Sequence, residues 1–95
     1  MNIKSVKEGN RLTLKPVGRV DTLTAPELEA AVKLEGVEEL VFDLKGVDYV
    51  SSAGLRVLLS AQKRMVGKSM KITGVSPAVK EVFDITGFSD IFTLV

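Results

Sequence analysis

Val41-Phe-Asp-Leu-Lys-Gly-Val-Asp-Tyr-Val-Ser-Ser-Ala-Gly-Leu-Arg-Val-Leu-Leu59 places an apolar strand, a short loop and the mouth of an amphipathic helix in direct succession. The run Leu40-Val-Phe-Asp-Leu44 is nearly continuous in apolar residues and of strand length, which predicts a strand covered on both faces or central in a sheet. Beyond the Gly46 to Val50 connection, Leu55, Leu58, Leu59, Met65 and Val66 fall on one side of a helix that should end near Gly67. Lys63, Arg64 and Lys68 complement the negative end of its dipole.

The flanking sequence completes an α/β pattern. Towards the N-terminus, alternation through Ile3, Ser5 and Lys7, the turn residues Glu8-Gly9-Asn10, and then Leu12, Leu14 and Val17 predict a hairpin. Thr24-Ala-Pro-Glu27 matches a capping box with Pro26 in the first turn, so a short helix is expected over 25–33 with Leu28, Ala31 and Val32 inward. Towards the C-terminus, Met70 to Val75 reads as a strand. Ser76-Pro77 opens a third helix with Val79, Val82, Phe83 and Thr86 on its core face and Gly87 as its stop, and Phe92 to Val95 reads as a final strand. The expected order ββαβαβαβ gives one domain over 1–95 with a mixed β-sheet that opens with a hairpin. Its later strands should be parallel, joined by right-handed crossover helices.

Composition narrows function before any motif is weighed. Thirteen basic and twelve acidic residues leave a net charge of +1 with no cationic cluster, which argues against nucleic-acid binding. The chain has no Cys and no His, so it lacks thiolate chemistry, the commonest metal ligands and the commonest general base. No enzyme activity, metal site or cofactor is expected. No Gly-x-Ser-x-Gly turn supports a serine hydrolase, and no acidic pair follows the first strand as a response-regulator receiver would need. The first ten residues do not resemble a signal peptide, and the longest apolar stretch is too short to span a bilayer, so no membrane insertion and a cytoplasmic location are expected.

The paired serines are the informative feature. A hydroxyl at a helix N-terminus can cap a backbone N–H, or it can carry a phosphate where unpaired N–H groups and the dipole welcome an anion. On residue type alone, capping is the commoner use. At 100° per residue, Ala53, Val57, Ser60 and Arg64 lie opposite the core stripe with Arg56 at its edge, which predicts an outward, close-approach surface beside Ser52. Val57 could equally be one scattered surface apolar residue. Asp21 could serve as a loop-initiating carboxylate near a helix start, and Asp43 and Asp48 read as a strand end and a turn residue.

Tyr49-Val-Ser-Ser-Ala-Gly-Leu-Arg-Val-Leu58 resembles the signature of the bacterial anti-sigma factor antagonists, members of the STAS domain family. Gly18-Arg-Val-Asp-Thr-Leu-Thr-Ala-Pro-Glu-Leu28 is similar to that family's second block, and the likeness extends over nearly the whole chain. The resemblance implies a partner-switching module that binds an anti-sigma factor with serine kinase activity. By position, it implies phosphorylation on Ser52, reversed by a serine phosphatase. It also implies that Asp21, Thr24, Ser51 and the outer face Ala53, Arg56, Val57, Ser60 and Arg64 form the partner surface, with Asp21 mattering for binding and little for folding. Many members carry Asp where this chain has Ser51, which makes Ser51 the alternative acceptor. A second reading, also by resemblance, is a non-switching STAS subunit of a transporter or lipid-transport complex.

Overall fold

The computed structural model describes residues 1–95. Strands β1 (Asn2–Glu8) and β2 (Arg11–Val20) form the hairpin, in a register that pairs Asn2 with Val17 and Glu8 with Arg11. The turn is possible because Gly9 adopts φ 61°, a conformation that only glycine enters without strain. Helix α1 (Ala25–Ala31) leads to β3 (Glu39–Asp43) and β4 (Val47–Val50), followed by α2 (Ser52–Arg64), β5 (Ser69–Thr73) and α3 (Pro77–Thr86). A single 3₁₀ turn, Phe88–Asp90, comes last.

The sheet runs β1-β2-β3-β5, antiparallel at the hairpin and parallel thereafter. The second strand serves two partners along its length. Its first residues pair with β3, whereas Gly18 to Val20 pair in parallel with β4 across an irregularity between Gly18 and Arg19. The mixed sheet expected from sequence is therefore present. One detail differs, because β4 follows β3 without a helix between them.

Twenty-two buried hydrophobic residues form one core, with no buried polar residue among them. Leu12, Leu14, Leu40, Phe42, Met70 and Ile72 supply the inward face of the sheet. The alternate residues of β3, Glu39, Val41 and Asp43, are only half-buried. On that second face Arg11 donates to Glu39 at 2.8 Å and Lys71 pairs with it at 3.4 Å. Strand β3 is thus central but covered on one face, not two.

Other elements also depart from the sequence reading. Residues 47–50 form a strand although their burial does not alternate; Val47 and Val50 are inward, with Asp48 and Tyr49 exposed between them. Helix α1 stops at Ala31 and α2 at Arg64, which leaves Val66 on the surface. Thr86 lies outside the core and its hydroxyl donates to Val82 O at 2.7 Å. The last residues form no strand, only one parallel bridge from Leu94 to Ile72. Phe92 is still buried, packed edge-on against Phe83 at 5.6 Å.

Candidate functional site

The mouth of α2 is held against the ends of β2 and β4. Ser51 N donates to Val20 O at 2.8 Å, and Ser51, extended at φ −86° and ψ 178°, accepts at Oγ from Gly54 N at 3.4 Å. The two serines therefore divide the two uses open to them. Ser51 is the N-cap; Ser52 is the first helical residue, is exposed, and leaves its hydroxyl in solvent. No acidic side chain stands in the first turn of α2.

Gly54 makes this docking possible. A Cβ at that position would lie 2.8 Å from Val20 Cγ1, 2.9 Å from Val20 O and 2.9 Å from Val50 Cγ1. The small residue in Ser-Ala-Gly-Leu thus allows close approach of the helix to the strand ends.

The Ser51–Val20 bond also brings the β2–α1 loop beside the serines. Asp21 Oδ1 accepts from Leu23 N at 3.0 Å and from Thr24 N at 3.1 Å. The bond from the Thr24 backbone is the foremost reason that the Asp21 carboxyl sits below its ordinary range. Thr24 does not form the expected capping box: its hydroxyl donates to Arg19 O at 2.6 Å and accepts from Asp21 N at 2.9 Å. Both side chains hydrogen-bond within the loop, which gives Asp21 a structural role beside the binding role expected of it.

The outer face of α2 is brought together only in part. Ala53, Arg56, Val57 and Ser60 line a groove of about 400 Å³ against Thr22, Ala25, Pro26 and Glu29. Val57 was expected to be exposed but is 94 % covered, at 6 % relative exposure, because α1 packs along this side of α2. Arg64 belongs elsewhere, donating to Val32 O at 3.2 Å where it satisfies the end of α1. Arg56 remains exposed.

Three residues at this end of the molecule were not found from sequence. Leu23 is 84 % exposed at the tip of the β2–α1 loop, and the Arg19 guanidinium lies 4.2 Å from the centre of the partly exposed Tyr49 ring. A leucine between two threonines in a loop was the available signal. The Arg19–Tyr49 pair depends on the β2–β4 register, which was not anticipated. Asp43 bonds Lys45 N at 3.0 Å, in keeping with a strand-end role, and no three acidic side chains gather as metal ligands.

Comparison with known proteins identifies the family and the fold. The STAS domain model matches residues 2–95. A Bordetella bronchiseptica protein named as an anti-sigma factor antagonist, BtrV, is 41% identical over 80 residues, spanning 79% of this chain and 69% of the relative. The anti-sigma-B factor antagonist of Staphylococcus epidermidis is 31% identical over 96% of this chain and 89% of its own length. Among solved structures, an anti-sigma factor antagonist from Mycobacterium paratuberculosis superposes with a TM-score of 0.87 at 25% identity, covering 98% of this chain and 83% of that one. With the family model spanning all but the first residue and the fold shared, this chain belongs to the STAS domain family.

Proposed function

We propose that the chain is an anti-sigma factor antagonist that captures an anti-sigma factor with serine kinase activity, and that phosphorylation of Ser52 ends the capture. The observation that carries this reading is the division of labour at the mouth of α2. Because Ser51 provides the cap, Ser52 presents an exposed hydroxyl with no structural task. The relatives named as anti-sigma factor antagonists supply the class of partner.

In the transfer, Ser52 Oγ forms the new P–O bond as the bond from the γ-phosphorus of ATP to ADP breaks, and the hydroxyl proton passes to a base on the kinase. The product carries about −1.5 to −2 charges at a helix N-terminus, where the dipole and unpaired N–H groups favour it, so the fold holds. Against a docked partner the same charge must be desolvated, and a cost of several kcal/mol weakens the complex by roughly a hundredfold or more. Leu23, Asp21, Arg56 and the groove beside Val57 lie at the same end and form the remainder of the docking surface in this reading.

Incubation with the cognate kinase and ATP, followed by mass spectrometry and calorimetry, tests the proposal. One phosphate on Ser52 and a complex lost on modification are expected, with Ser52→Ala still binding. A phosphate on Ser51, or equal affinity of modified and unmodified forms, would overturn it. An unmodified protein in a stable complex would instead indicate a non-switching subunit.

A further inference from the structure

We propose that Arg56 is the intramolecular counter-ion of a phosphate on Ser52, so that modification also draws the guanidinium away from the groove between α1 and α2; this rests on Ser52 being the modified residue. Ser52 and Arg56 are separated by one turn of an uninterrupted helix, the i, i+4 spacing at which side chains meet. Both are exposed, and both line a depression whose other walls are Leu55, Leu59, Thr86 and Phe88. That depression contains no acidic side chain to repel an anion or to occupy the arginine.

The other nearby cations are engaged or remote. Arg19 is 3.7 Å from Asp21 and stacks on Tyr49, Arg64 bonds the Val32 carbonyl, and Lys63 lies three turns further along α2. Arg56 makes none of the ion pairs of the molecule. It is also the one residue common to the Ser52 depression and the α1–α2 groove, where it stands with Glu29. A planar guanidinium matches phosphate oxygens bidentately and binds them more strongly than a neutral donor would. A phosphate at Ser52 therefore competes for a cation that the groove otherwise presents to a partner.

The test uses the full chain with phosphoserine installed at position 52 during synthesis, so it does not depend on any kinase. Phosphorus NMR titration should give a second phosphate pKa below the ordinary value of about 6. Arg56→Gln should raise it by roughly 0.3 unit or more, and Arg56→Lys by less, because lysine keeps the charge without the fork. Lys63→Gln, which removes a remote charge from the same helix, should leave it within about 0.1 unit. The Arg56 Nε–H resonance should move through the same midpoint. A pKa that responds equally to Arg56→Gln and Lys63→Gln, or an Arg56 resonance indifferent to the titration, would overturn the inference. Failure of a kinase to modify Ser52 would remove the functional reading and leave this result standing.

Discussion

Helices α2 and α3 open on parallel sequences, Ser51-Ser-Ala-Gly-Leu-Arg56 and Ser76-Pro-Ala-Val-Lys-Glu81, and the two mouths are used differently. In each, the leading serine caps the third residue: Ser51 Oγ accepts from Gly54 N at 3.4 Å and Ser76 Oγ from Val79 N at 3.2 Å. At the next position α3 has Pro77, with neither hydroxyl nor N–H, whereas α2 has the exposed Ser52. The third helical residue of α3 is the buried Val79; in α2 it is Gly54, pressed against Val20 and Val50. The first cation of α3, Lys80, pairs with Asp84 at 3.1 Å, while Arg56 has no such partner. One mouth is closed by its own residues. The other keeps the same cap but leaves a hydroxyl and a guanidinium unengaged, which separates a structural helix start from one suited to modification.

The comparison can be broken most severely at the third helical residue. Gly54→Ala should cost about 3 kcal/mol, because the new methyl meets the carbonyl of Val20 as well as two side chains that have little room to move. Urea denaturation measures it, and a loss under about 1 kcal/mol would show that the close approach is not required. Removal of the caps comes next. Ser76→Ala should cost about 1 kcal/mol and Ser51→Ala about 0.5–1, the longer bond at Ser51 setting the lower figure.

Making the two mouths alike sharpens the contrast. Ser52→Pro should change stability by no more than about 0.5 kcal/mol, since proline suits the first helical position and Ser51 is already extended as a residue before proline must be. Ser52→Ala should stay within about 0.3 kcal/mol of the wild type, an ordinary surface substitution. If Ser52→Ala cost as much as Ser51→Ala, the assignment of the cap would be wrong.

The two ends of the comparison also differ in acid sensitivity. The carboxyls of Asp21, beside α2, and Asp84, on α3, are both held below their ordinary range, Asp21 first by the Thr24 backbone N–H and Asp84 first by the Ser89 hydroxyl. A depressed folded pKa contributes stability that is full above the unfolded value near ~4 and is lost as pH falls through the folded one. Thermal melts from neutral pH down to about pH 3 should therefore fall less steeply for Asp21→Asn than for the wild type. Asp21→Ala should lower the melting temperature by a few degrees even at neutral pH, because it removes the acceptor of two loop bonds. An unchanged melt for Asp21→Ala would return Asp21 to a role in binding alone.

Periodic and punctuating residues were the legible ones. Gly9, Pro26, Ser76-Pro77 and Gly87 each sit where their backbone chemistry demands; Leu55 and Leu58 occupy the core face of α2, and Met65 is buried just past its end. Three of the failures share one cause, that a neighbour from elsewhere in the fold overrode the local pattern. Val57 reads as outward when the sheet alone is considered, and α1 covers it. Asp48-Tyr49 breaks strand alternation, and pairing with β2 still makes 47–50 a strand. Thr24 fits a capping box, yet the carbonyl of Arg19 takes its hydroxyl.

By itself the sequence determined the class of fold, the position of each helix mouth and the presence of a serine pair at one of them, because helical period, strand runs and cap residues act within a few neighbours in the chain. It could not decide which serine caps, that Arg64 serves the end of α1, or that Leu23, Asp21 and Ser52 share one end of the molecule. Those outcomes depend on bonds across the fold, above all Ser51 N to Val20 O and Arg64 to Val32 O, which join residues 31 and 32 positions apart. A hydroxyl becomes a cap or is left free only when the strand end against which its helix docks fixes the backbone, and that contact exists only in the tertiary structure.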